Sequence, residues 1–133
     1  MLVDGVLQQQ TWPQFEKVFA AKVHGAWNLH TLIEENALRQ EMGADQARLD
    51  FFVLFSSAAS LLGSPGQANH VAANSFMDAL AFYRRAQGLA GLAINWGAWG
   101  EIGSAVQKLS QVQMKGLDSM TSQQGIEALE HLR

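Results

Sequence analysis

The sequence predicts part of a doubly wound α/β fold, and three observations carry that reading. Two short apolar runs, 51–55 (Phe-Phe-Val-Leu-Phe) and 92–96 (Leu-Ala-Ile-Asn-Trp), have the composition of strands buried on both faces. A helical pattern lies between them, which makes the stretch a βαβ unit, a connection that is right-handed in nearly all cases. Two parallel strands alone make a poor sheet, because parallel sheets need several neighbours and cover on both faces. The chain therefore reads as one part of such a fold and not the whole of it.

Each element follows from local signals. Residues 1–10 read as a loop. Thr11 and Gln14 spell a capping box, and Pro13 is tolerated in the first turn of the helix it opens. Apolar residues then recur at helical spacing at Phe15, Val18, Phe19, Val23, Ala26, Trp27, Leu29 and Ile33, which predicts a helix over about 12–35. The polar stretch 36–49 reads as a surface insertion. The first strand ends at Ser56 and Ser57. A loop of small residues over 58–68 carries Gly63, Pro65 and Gly66. The second helix is expected over about 70–87 and stops at Gly88, a residue suited to the left-handed position past a helix end. A second capping box, Thr121 to Gln124, opens an amphipathic C-terminal helix within 121–133, with Ile126, Leu129 and Leu132 on one face. No internal repeat is visible.

Composition narrows the function classes. The chain has 133 residues, 48% of them hydrophobic and 16% charged, enough for one domain with a core and not for two. A net charge of −3 gives no reason to expect nucleic acid or an anionic membrane as partner. With no cysteine there is neither a disulfide nor a thiolate site. His24, His30, His70 and His131 match no zinc spacing, so no metal is expected. No apolar run is long enough to span a bilayer and no secretion signal is visible, so the expected location is the cytoplasm.

In such sheets ligands bind beyond the carboxyl ends of the strands. That rule points to Ser56-Ser57 with the loop behind it, and to Asn95-Trp96-Gly97. His70 and Asn74 share one face of the second helix beside the first place. Lys22 stands on a stripe that is otherwise apolar, either snorkelling to the core edge or placed there for chemistry. For Asn74 the plain alternative is a bond to nearby backbone, for His70 a buried histidine whose hydrogen bonds are met, and for the serines the end of a strand.

Taken together, these residues resemble a known family. Residues 51–103 (FFVLFSSAASLLGSPGQANHVAANSFMDALAFYRRAQGLAGLAINWGAWGEIG) and 2–30 (LVDGVLQQQTWPQFEKVFAAKVHGAWNLH) are similar to the C-terminal half of polyketide synthase ketoreductase domains, which belong to the Rossmann-like short-chain dehydrogenases. The resemblance implies reduction of a β-ketoacyl thioester on an acyl carrier protein, with NADPH as hydride donor and the rest of a polyketide synthase as partner. It implies that Lys22, in K-V-x-G-A, is the active-site lysine, that Ser57 is the serine ending the strand, and that Asn74 is the asparagine after the catalytic tyrosine. Asn95, Trp96 and Gly97 match the loop that touches nicotinamide. Leu2-Val3-Asp4 resembles the L-x-D signature of B-type members, so Asp4 is its aspartate. Leu62 stands where A-type members carry a tryptophan, and Pro65 fits the B-type loop.

Two departures stand out. The tyrosine of G-Q-A-N-Y is replaced by His70. Tyr83 is about 20 Å further along the helix by its rise, too far to substitute. No G-x-G-x-x-G occurs, so the dinucleotide cradle is absent from these residues and binding of NADPH by the chain alone is not expected. The rival reading is an inactive ketoreductase remnant with a structural role. A Ser57/His70 hydrolase is a distant third, lacking a G-x-S-x-G elbow.

Overall fold

A 3-10 turn at Leu7–Gln9 leads to helix α1, Trp12–Phe19, opened by the capping box at Thr11. The Thr11 amide donates to Gln14 Oε1 at 2.6 Å, so the orphan donors of the first turn find partners. The computed structural model describes residues 3–39, 49–100 and 119–132. They fall into two compact units, Met1–Asn95 and Trp96–Arg133.

The long helix expected over 12–35 is not one regular helix. After α1 the backbone widens into a π-helical segment, Ala20–Gly25, and resumes as helix α2, Ala26–Arg39. A π segment adds a residue to the turn and shifts the phase of everything after it. Beyond it the buried positions are Ala26 and His30, whereas Trp27 and Leu29 are exposed. The regular period thus misassigned those two residues. Helix α2 also continues to Arg39, so the insertion expected over 36–49 begins inside a helix; 40–48 lie outside the described residues.

Strand β1 is Val53–Ser57 and strand β2 is Leu92–Trp96, paired in a parallel sheet with Leu92 N donating to Phe52 O at 2.9 Å. Between them lie helix α3, Ala59–Leu62, inside the stretch expected to be a loop, and helix α4, Ala68–Ala86, which starts two residues earlier than its pattern suggested. Helix α4 ends in a Schellman motif. Gly88 has φ of 74°, its amide donates to Arg85 O, and the Leu89 amide donates to Arg84 O.

The core of the first unit forms where α2 and α4 pack on one face of β1, joining Ala26, Phe52, Leu54, Met77, Leu80 and Ala81. The other face is not covered by the described residues: Phe51 is 67% exposed and Phe55 49%, against the expectation of burial on both sides. A buried cation closes one end of the core. Arg84, 1% exposed, donates from Nε to Ala90 O at 2.7 Å and from an NH group to His30 Nδ1 at 2.8 Å, with its guanidinium 4.0 Å above the Phe52 ring. Arginine cannot accept a hydrogen bond, so His30 Nδ1 is unprotonated.

In the second unit, helix α5, Ser122–His131, begins with the capping box at Thr121. Gly125 lies beneath the Trp99 ring, and Trp96 packs on Trp99 with centroids 5.1 Å apart. Ile126 and Leu132 are exposed.

Candidate active site

The π segment, β1 and α4 meet at the carboxyl end of β1, and there three of the four residues singled out for chemistry connect directly. Lys22 Nζ donates to Asn74 Oδ1 at 2.9 Å and to Phe55 O at 3.0 Å. Asn74 is fully buried and donates from Nδ2 to His70 O at 2.7 Å, one turn back along α4. That bond fixes the amide so that its oxygen faces the ammonium. The plain reading of Asn74 as a helix residue bonding its own backbone is therefore also true, and it serves the same orientation.

Ser57, two residues after Phe55, stands at the last position of β1. Its Oγ accepts from Ala59 N at 3.2 Å and opens α3. A hydroxyl used as acceptor in this way still has its own proton to donate. Ser56 points to the opposite side, buried, with Oγ donating to Asn74 O at 3.2 Å.

The electrostatics tie His70 and Asp4 to the same place. Burial pushes the His70 imidazole below its usual value, the charge of Lys22 pushes it further down, and Asp4 pulls the other way. Burial likewise lowers the Lys22 ammonium, opposed by the charge of Asp78. His70 is thus neutral at pH 7. Tyr83 packs with Trp27 and His30, so it takes no part here.

The N-terminal segment docks beside this cluster. Gly5 N donates to Gly66 O at 2.8 Å, Gln10 Nε2 donates to Gly5 O at 3.0 Å, and Gln67 Nε2 donates to Asp4 Oδ1 at 3.2 Å. Asn69, fully buried, donates to Val3 O at 2.7 Å. Leu62 at the end of α3 and Pro65 beyond it are exposed. Asn95 Nδ2 reaches Ser60 Oγ at 2.9 Å and the Asp78 carboxylate at 3.0 and 3.1 Å. Trp96 and Gly97 belong to the second unit.

Asn69, Ser60 and Asp78 escaped the sequence reading. Asp78 left a signal, since it follows Asn74 by four and shares its face. Asn69 left none, because its partner is 66 residues away. Among the described residues no cluster of side chains fits a metal ion, and no helix is long and apolar enough to cross a membrane.

A family model described as "KR domain" matches residues 1–101. A mycocerosic acid synthase-like polyketide synthase of Mycolicibacterium smegmatis is 49% identical over 100 residues, covering 75% of this chain and 4% of that protein. The spectinabilin polyketide synthase system protein NorB of Streptomyces orinoci is 40% identical over 128 residues, 92% of this chain and 5% of its own length. Among solved structures, an A-type ketoreductase from a modular polyketide synthase superposes with a TM-score of 0.80 at 34% identity, covering 97% of this chain and 25% of the other. The first ketoreductase of the tylosin synthase gives 0.75 at 37% identity, with 97% and 26% covered. The chain thus spans about a quarter of these solved chains and a few per cent of the curated relatives.

Proposed function

This chain belongs to the ketoreductase (KR) domain family of polyketide synthases, and from that premise we propose that it supplies the carbonyl-side half of an NADPH-dependent reductase acting on a β-ketoacyl thioester carried by an acyl carrier protein. The observation that carries the reading is the clamp on Lys22, whose ammonium is held between Asn74 Oδ1 and Phe55 O at the end of β1. The half-buried ammonium meets the buried Asn74 oxygen at the position where the resemblance puts the active-site lysine.

The residues divide the work as follows. NADPH, when bound, supplies the hydride that reduces the ketone. Negative charge then grows on the carbonyl oxygen, and a proton must reach it. Ser57 donates its hydroxyl proton in a hydrogen bond to that oxygen. His70 stands where the proton donor is needed, with Asn74 and Lys22 behind it as the route by which the donor is recharged. Burial and the Lys22 charge disfavour the charged form of His70, so slow turnover is the expected outcome. The fit to the cofactor is partial. Asn95 is assigned to the nicotinamide side by resemblance, as are Trp96 and Gly97, whereas no Gly-rich turn for the pyrophosphate occurs in the sequence.

Asp4, Leu62 and Pro65 support B-type stereochemistry; the solved relatives include A-type and C2-type members, so overall similarity does not select a class. The test is ketoreduction of a simple β-ketoacyl thioester by the intact domain, with and without His70→Tyr. We expect at least about a tenfold gain in kcat for the variant, since a placed general acid contributes on the order of 10²- to 10⁴-fold. Equal or lower turnover would show His70 to be adapted for its place. No turnover in either protein would favour an inactive domain kept for a structural role.

A further inference from the structure

Asp78 lies one turn beyond Asn74 on α4, and its carboxylate is the centre of a polar network that the clamp on Lys22 does not include. Ser60 Oγ donates to Asp78 Oδ2 at 2.5 Å, the length of a charge-assisted bond. Asn95 Nδ2 has two protons and five acceptors within reach. The nearest are Ser60 Oγ at 2.9 Å and the two Asp78 oxygens at 3.0 and 3.1 Å, with Ser56 Oγ at 3.3 Å and Ser57 O at 3.4 Å behind them. Ser60 Oγ is also 2.8 Å from Ser57 O. Three elements are joined in this way: α4 through Asp78, β2 through Asn95, and the junction of β1 with α3 through Ser56, Ser57 and Ser60. Everything the carboxylate binds is attached to the two residues that end β1.

We propose that Asp78 is a positioning residue for this site, holding the Ser56-Ser57 end of β1 in place through Ser60 and Asn95 and setting a negative charge one turn from the Asn74 that clamps Lys22. It does not touch a reacting atom. The inference rests on the ketoreductase reading for its purpose but not for its test. It also gives the Asn95 amide nitrogen an internal task, distinct from cofactor contact.

Other charges around Lys22 are limited in kind. Among the described residues, it faces Asp78 and His70 from α4, Asp4 acts on His70 from the N-terminal segment, and from β1 it meets the Phe55 carbonyl. Arg85 lines the same groove as Asp78, where it donates to Gly91 O and lies over the Phe82 ring. The charge of Asp78 opposes the effect of burial on Lys22. Removing that charge therefore lowers the Lys22 midpoint further.

The experiment uses the full 133-residue chain with ¹³Cε-labelled lysine, titrated by NMR, the other three lysines serving as internal references. Asp78→Asn keeps the shape and loses the charge. We expect the Lys22 midpoint to fall by at least about half a pH unit while the other three stay in place, and Asp78→Glu to restore it. An unmoved Lys22 in a folded Asp78→Asn chain overturns the proposal. If that variant does not fold, Asp78→Ser, which also removes the charge, decides, and an unmoved Lys22 in that folded chain overturns the proposal equally. Failure of the intact domain to reduce a thioester would sink the ketoreductase reading and leave this result standing, whereas an unmoved Lys22 would do the reverse.

Discussion

His30 and Arg84 show what a single residue decides in the core of the first unit. The guanidinium donates to His30 Nδ1 at 2.8 Å, so the pair exists only while that nitrogen is unprotonated. Burial lowers the imidazole, the Arg84 charge lowers it further, and Glu34 opposes both. A histidine whose folded value lies below the unfolded one resists protonation. Below about pH 6.5 the unfolded chain takes up more protons than the folded one, so stability falls as pH drops through that range. His30→Gln retains an acceptor for Arg84 and removes the titration. We expect its urea midpoint to change less between pH 7 and pH 5 than that of the unmutated chain; parallel curves would show the acid sensitivity to reside elsewhere. None of this was legible beforehand. Nothing in the sequence singled out Arg84, and His30 stood there only among four histidines that match no zinc spacing.

At the scale of elements, the sequence spoke clearly wherever the signal was local. Both capping boxes, the stop at Gly88 and the two strands followed from neighbours a few residues apart. The π segment did not, because apolar residues occupy both the phase before it and the phase after it, and only packing on α4 chooses where the extra residue goes. Helix α3 is four residues long and sits among glycines and a proline, so its sequence pointed to a loop. The candidate site was half legible: Lys22, Asn74 and His70 stood out by their helix positions and by the resemblance, while Ser60 and Asp78 depend on contacts across 18 residues. The junction of α4 and β2 offers a direct check on packing. A Cβ built on Gly91 would lie 2.9 Å from Ala81 O and 3.0 Å from Arg84 Cβ. Because the first of these is helix backbone and cannot yield, Gly91→Ala should cost about 1–3 kcal/mol in denaturant unfolding. A loss below about 0.5 kcal/mol would mean that the loop moves freely away from α4.

For the molecule as a whole, the proposed division between carbonyl chemistry and cofactor binding sets the third expectation. The described residues assemble a lysine, an asparagine, a serine and a histidine around one strand end, yet the sequence holds no Gly-rich phosphate turn. NADPH added to the 133-residue chain should therefore show no saturable fluorescence change at low micromolar concentration, and a clear titration there would contradict this. The exposed apolar surface beside β1 has its own effect on how the chain behaves in solution. Among the described residues each strand is paired on one side alone, and Phe51, just before β1, is 67% exposed. Such a surface recruits its own kind. Light scattering should rise with protein concentration, and Phe51→Lys, which places a charge on that exposed surface, should suppress the rise while the clamp on Lys22, made by the Phe55 backbone oxygen, endures.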